Sequence, residues 1–358
     1  MTTESAVWEW TGATREALAG FLERRHLVDG EITTTAIGDG HSNLTYLVSD
    51  GSRRMIVRRP PPPPLPAGAH DVLREARFLT ALAGSAVPVP RVLATAAAGE
   101  VLDVPFYVMD VVEGPIVTTR TPSPLDSPLR RREVGESLID TLADLHAVDW
   151  RARGLADAGR PEGFNSRHFR RMQRLIAAGD GSAPPEFESI EGWLGSHVPA
   201  ESGASIVHND FRLGNVVLAA DGPGRVVGVL DWELTTIGDP LFDLGYFLAS
   251  VPMAGAARTP TEDLATAMLE DGYPDRQELA DRYATRTGAD LTHLPWYITL
   301  ALWKLAVLYE YGRRRAESGT GDDYYADAGL VRSFLTAAHS AAGMEPPAER
   351  AAGAEMQS

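Results

Sequence analysis

The chain has 358 residues, 44% of them hydrophobic and 23% charged, an ordinary composition for a folded protein that is too long for one small core. It holds no cysteine, which excludes disulfides, thiolate metal sites and cysteine nucleophiles. A formal net charge of −16 argues against nucleic acid and anionic membrane as partners.

In chain order, helical periodicity covers 11–27, with Thr11 or Thr14 as N-cap. Strands are expected over 32–37, 44–48 and 54–58, with turn signals at Gly38-Asp39-Gly40 and Ser49-Asp50-Gly51. The proline run Pro60 to Pro64 reads as a stiff loop. A helix over 71–83 follows, then extended chain from Val87 and a buried strand over 105–112 that ends at Glu113-Gly114. Residues 115–128 are rich in Pro, Ser and Thr, and helical patterns then dominate at 129–149, 167–178 and 186–197. Short strands return at 205–208, 216–219 and 225–230, before helices at 241–250, 261–270, 276–286 and 293–315. Residues 341–358 read as a disordered tail. The expected fold class is α+β and bilobal. Residues 1–113 form a small sheet-rich lobe, residues 114–340 a larger helical lobe, and a ligand lies in the cleft between them. No stretch has the length of a membrane span, and the first residues lack the pattern of a signal peptide, so a cytoplasmic chain is expected.

Two segments carry the chemistry. Ile206-Val-His-Asn-Asp-Phe-Arg-Leu-Gly-Asn215 and Val229-Leu-Asp-Trp-Glu233 each read as an apolar strand ending in polar side chains. The first offers His208, Asp210, Arg212 and Asn215; the second offers Asp231 and Glu233. Phosphoryl transfer needs a carboxylate to orient the acceptor hydroxyl and oxygen ligands for Mg²⁺, and this set supplies both. A carboxylate driven inward by the three aliphatics before Asp231 calls for a cation. Gly38-Asp39-Gly40-His41-Ser42-Asn43 is either a phosphate-approaching loop or a common hairpin turn. Arg58 shares a strand face with Ile56, where it either grips nucleotide phosphates or meets solvent; Glu75 on the next helix is placed to hold it. The strand around Asp110 to Val112 either offers its backbone to a purine edge or is plain core. His146 reads as a packed histidine, and Asp239 and Asp243 as a helix cap and a loop brace. The only lysine, Lys304, sits in an apolar helix and either snorkels outward or points into the cleft; any other phosphate-binding cation must be arginine.

With these motifs the chain resembles the aminoglycoside phosphotransferase family of the protein-kinase-like superfamily, which also holds choline kinases. The likeness runs from about residue 30 to 315. The family's His-Gly-Asp-x-x-x-x-Asn loop is matched by His208-Asn209-Asp210 to Asn215, and its metal segment by Leu230-Asp231-Trp232-Glu233 with Gly238-Asp239-Pro240 and Asp243-Leu244. The Asp-Trp-Glu and Gly-Asp-Pro details resemble the branch fused to, or found near, acyl-CoA dehydrogenases. The resemblance implies a catalytic loop of His208, Asp210 and Arg212, with Asp210 as base. It implies Asn215 and Asp231 as Mg²⁺ ligands, Gly38 to Asn43 as phosphate loop, and Arg58 with Glu75 at the nucleotide phosphates. Asp110 to Val112 would be the hinge, and Glu233 and Lys304 candidate acceptor-binding residues. Three departures stand out: Asn209 for the usual glycine, Arg58 for a frequent lysine, and Asn43 for a third loop glycine. The expected activity is transfer from ATP or GTP to a hydroxyl of a small molecule. A natural-product antibiotic or sugar is ranked first and a hydroxyacyl-CoA second. A nucleotide-binding pseudokinase regulating a partner is the reading of another class, and the oligomeric state is left open.

Overall fold

The computed structural model describes residues 10–37, 43–61, 70–177 and 184–345. Helix α1 (Gly12–Glu23) starts at Thr11, whose side chain accepts from the Thr14 N–H. Strands β1 (Thr33–Ile37), β2 (Leu44–Ser49) and β3 (Arg54–Arg59), helix α2 (Val72–Leu82), and strands β4 (Val92–Ala96) and β5 (Phe106–Asp110) complete the first lobe. They form one antiparallel sheet in the order β1-β2-β3-β5-β4.

Strand alternation gives this sheet two apolar faces. Tyr46, Val48, Met55, Val57, Phe106 and Val108 pack under Leu18, Phe21 and Leu22 of α1. Ile56, Tyr107 and Met109 face α2 instead and join the larger core that continues into the second lobe. Arg58 is two residues from Ile56 and opposite Tyr107 in the β3–β5 register, so it is delivered to the interlobe side, as its place in the alternation implied. Each fully buried Leu or Phe here contributes about 1.5–3 kcal/mol, which makes the choice of face hard to reverse.

The chain leaves β5 through 111–114. Gly114 has φ +148°, and a Cβ there would stand 2.0 Å from the Leu218 carbonyl oxygen. Only glycine lets the crossover lie this close to the second lobe. Helices α3 (Pro128–His146), α4 (Phe164–Ile176) and α5 (Glu188–Ser196) follow. Next come β6 (Ser205–Val207), β7 (Val216–Leu218), β8 (Val226–Val229) and β9 (Thr236–Gly238). The lobe ends with α6 (Pro240–Ser250), α7 (Pro260–Asp263), α8 (Arg276–Thr287), α9 (Leu294–Glu317) and α10 (Ala328–Ala341). Among the described residues no helix is long and apolar enough to cross a membrane.

Three elements differ from the sequence reading. The helix expected over 261–270 is α7 followed by a separate 3-10 turn, Thr266–Leu269. Strand β9 was not expected; it pairs with β6 and so ties the two motif segments together. Helix α10 was not expected either and packs Val331, Phe334 and Leu335 into the core. Of the expected tail, residues 346–358 lie outside the described residues.

Candidate active site

The catalytic loop begins where β6 ends. Asn209 has φ +66° and Asp231 φ +65°, a left-handed conformation that costs most residues about 1 kcal/mol and that Asn and Asp tolerate best. This accounts for Asn209 where the family carries glycine, since both fit the turn. Asn209 also does what glycine cannot: its Nδ2 donates to the Leu234 carbonyl at 2.7 Å. Asp243 braces the turn by accepting from the backbone N–H groups of His208 and Asn209. Asp239 accepts from Leu241 N–H at 3.0 Å and caps α6. His146 is packed, with Nδ1 2.6 Å from the Tyr283 hydroxyl and Nε2 3.4 Å from Asp243. These three residues hold the structural places given them from sequence.

His208 is corrected. Its ring is fully buried, Nε2 donates to the Leu230 carbonyl at 2.9 Å, and Nδ1 accepts from the Asp210 N–H at 3.3 Å. Both nitrogens are used inside the loop, so His208 positions the loop and does not transfer a proton to a ligand. Leu230 N–H donates in turn to the Asn215 carbonyl at 2.8 Å. The residue before Asp231 is thus bonded to both ends of the Asp210 loop.

Asp210 receives three donors. Asn215 Nδ2 donates to Oδ2 at 2.8 Å, Tyr246 Oη donates to Oδ1 at 2.6 Å, and Arg212 Nε lies 3.5 Å from Oδ1. Tyr246 was missed from sequence. It is buried, and burial together with Asp210 pushes its phenol well above the usual range, so it stays a donor. The signal was its position three residues after Asp243, on the same face of α6.

Across the crevice, Arg58 Nε is 3.1 Å from Glu75 Oε1, while its NH2 nitrogen is 2.6 Å from Asp231 Oδ1 and 3.6 Å from Glu233 Oε2. The planar fork thus reaches three carboxylates, through two different nitrogens at fixed geometry. Burial pushes Glu75 up to about 7, against the pull of Arg58. Burial would lower Arg58, but Glu75 and then Asp231 outweigh it and the guanidinium goes up. Asn43 joins the cluster. Its Nδ2 lies 3.4 Å from both Glu75 Oε2 and Glu233 Oε2, and its Oδ1 is 3.2 Å from His70 Nδ1. Glu233 therefore faces Arg58 and Asn43 of the sheet lobe, and not an acceptor pocket in the helical lobe. The rest of the proposed phosphate loop, Gly38, Asp39, Gly40, His41 and Ser42, lies outside the described residues.

The hinge is corrected in part. The Asp110 carboxylate turns outward to Arg91 Nε at 3.0 Å, and its N–H donates to the Arg91 carbonyl, so neither is offered to a purine. Val112 packs on Gly228, where a Cβ would come 2.7 Å from Val112 Cγ1. Lys304 does not snorkel. It is buried, with Nζ 3.3 Å from the Asn209 carbonyl and 4.9 Å from the Tyr246 ring centre. Burial pulls it down to about 8, opposed by Asp210 and Asp243.

Among the described residues no group of three or more His, Asp or Glu forms a metal centre. The donors near Asp210 still fit Mg²⁺, which is usually held by one or two protein oxygens together with substrate phosphates. Asn215 spends its Nδ2 on Asp210, so its Oδ1 would be the atom to meet a metal, and Asp231, paired through Oδ1 with Arg58, would add a carboxylate.

Residues 33–282 match the model of the APH phosphotransferase enzyme family. The chain belongs to that family. It is a phosphotransferase of the kinase-like fold, with a small antiparallel sheet lobe and a helical lobe. It is 30% identical over 307 residues to acyl-CoA dehydrogenase family member 11 of Rattus norvegicus, covering 84% of this chain and 39% of that protein. It is 29% identical to acyl-CoA dehydrogenase family member 10 of Mus musculus, covering 78% of this chain and 26% of that one. The chain thus spans well under half the length of these relatives. A solved Ralstonia eutropha structure, described as an aminoglycoside phosphotransferase, aligns with TM-score 0.78 and 28% identity over 92% of this chain and 98% of its own.

Proposed function

We propose that this phosphotransferase moves the γ-phosphoryl group of ATP or GTP to a hydroxyl of a small molecule. The observation that carries the reading is Asp210, held by Tyr246 and Asn215 and backbone-linked to Asp231, which faces the Arg58–Glu75 pair. In this reading the acceptor oxygen bonds to the γ-phosphorus as the bond to the β,γ-bridging oxygen breaks. The hydroxyl proton goes to Asp210 and the nucleoside diphosphate leaves. Asn215 and Asp231 hold Mg²⁺, which when bound neutralises phosphate charge. Arg58 exchanges Asp231 for phosphate oxygens while Glu75 keeps hold of its Nε. Arg212, beside Asp210, faces the transferred phosphoryl group.

Of the two acceptor readings, the hydroxyacyl thioester is the better supported, because the relatives named above are acyl-CoA dehydrogenase family members. The antibiotic or sugar reading rests on the Ralstonia protein's description. A steady-state assay with Mg²⁺ and ATP or GTP, run against hydroxyacyl thioesters, sugars and aminoglycosides, tests both. Asp210→Asn is expected to lower kcat by about 10²–10⁴-fold with nucleotide affinity kept. Unchanged turnover in that variant would remove Asp210 from the mechanism.

A further inference from the structure

Glu233 takes no part in the phosphoryl transfer described above, yet its direction is fixed from both sides. Trp232 before it is buried, and its Nε1 donates to the Val229 carbonyl at 2.8 Å. The Leu234 carbonyl after it accepts from Asn209 Nδ2 at 2.7 Å. Held at both ends of the short turn Trp232–Leu234, the Glu233 carboxylate crosses to the other lobe.

There it meets two groups that are shared with other carboxylates. Its Oε2 lies 3.6 Å from the NH2 nitrogen of Arg58, and that same nitrogen is 2.6 Å from Asp231 Oδ1. Its Oε2 is also 3.4 Å from Asn43 Nδ2, which is equally far from Glu75 Oε2. Arg58 Nε is taken by Glu75 at 3.1 Å. One guanidinium thus faces three carboxylates, and the cluster is net negative whether or not Glu75 carries a proton. The Arg58 side chain is only 12% exposed, so solvent screens these charges weakly.

The imbalance decides what can approach. Nucleotide phosphates are themselves anions. Without a counter-ion they meet Asp231 and Glu233 as like charges and must take Arg58 from both. With a divalent cation the same two carboxylates are compensated, and the cost of approach falls. Asp231 alone would serve as a metal ligand. Glu233 adds a second negative charge at the same Arg58 nitrogen.

We infer that Glu233 is a selectivity residue: together with Asp231 it holds Arg58 against metal-free nucleotide, so the site discriminates against a nucleoside di- or triphosphate that lacks a divalent cation. It acts through Arg58 and is therefore a positioning residue. The inference rests on the nucleotide site of the kinase reading and goes beyond it, because it couples metal and nucleotide binding through a side chain that need not ligate the metal.

Calorimetric titration of the full chain with ADP and with GDP, each in Mg²⁺ and in EDTA, tests this. The ratio of the two dissociation constants measures the coupling, and wild type is expected to bind about tenfold or more weakly in EDTA. Glu233→Gln removes the charge and keeps an acceptor for Asn43. It is expected to tighten metal-free binding about tenfold and to leave Mg-nucleotide affinity within about twofold, since there the carboxylate's repulsion of phosphate and attraction for the cation offset. Glu233→Ala removes charge and acceptor together and should act alike, because the charge is what matters. Metal-free affinity unchanged in both variants would overturn the inference and leave the kinase reading standing. A fall in Mg-nucleotide affinity alone would make Glu233 a metal ligand, and an equal loss in both conditions would make it a structural support; either result also overturns it. If wild type binds neither nucleotide with Mg²⁺, the kinase reading falls and takes this inference with it.

Discussion

Two cations beside the catalytic segments, one from each lobe, are held in opposite ways. Arg58 in the sheet lobe sits among Glu75, Asp231 and Glu233 within 3.6 Å. Lys304 in the helical lobe meets the Asn209 carbonyl and two aromatic rings, with no carboxylate at ion-pair distance among the described residues. The first cation is neutralised by the protein, and in the proposed reading a nucleotide's phosphates compete for it. The second is buried behind the catalytic loop, where the carboxylates that act on it are those of Asp210 and Asp243.

Opposite signs on mutation would sharpen this contrast. Arg58→Met strands Glu75 and Asp231 and is expected to destabilise the fold by about 3–5 kcal/mol in urea titrations at pH 7. A loss below about 1 kcal/mol would mean that the buried pair is not what holds the crevice. Lys304→Met fills the same space without the charge. Because Lys304 titrates near 8 when folded and near 10.5 when unfolded, at pH 7 it costs up to about 3 kcal/mol. The variant should therefore be more stable than wild type at pH 7. Between pH 8 and 10.5 the unfolded wild type binds more protons than the folded form, so its stability rises with pH through that window, and the advantage of the variant fades. A variant less stable than wild type at pH 7 would break the comparison.

A smaller effect is expected at Tyr246. Removing its hydroxyl deletes one hydrogen bond to a carboxylate, about 1.5–3 kcal/mol. Tyr246→Phe should lower kcat roughly tenfold to a hundredfold with KM for nucleotide unchanged, measured under saturating Mg-ATP. An effect on KM alone would place Tyr246 in binding and not in positioning Asp210.

Parts of this were legible in the sequence for plain physical reasons. Strand alternation put Arg58 on the face of Ile56, and helical position put Glu75 opposite it. The spacing of Asp210 and Asn215 put both in one hydrogen-bonded loop, and Leu230, next to Asp231, is bonded to it. His208 misled because a polar residue at a strand end reads the same whether it faces a ligand or a carbonyl. Glu233 misled because its neighbour Asp231 adopts a left-handed turn, which no periodicity reports. Strand β9 is three residues long, too short to show alternation. Helix α10 did carry a signal, since Val331, Phe334, Leu335 and Ala338 recur at helical spacing. The surroundings of Lys304 were illegible because His168, Tyr246 and Lys304 come from three helices far apart in the chain.

Single-turnover ³¹P NMR with Mg-ATP and the preferred acceptor is the most direct test of the central claim. The account predicts a phosphomonoester resonance that grows as the γ-phosphate signal falls, and that is lost in Asp210→Asn and in Asp231→Asn. A monoester formed at the wild-type rate by either variant would contradict it.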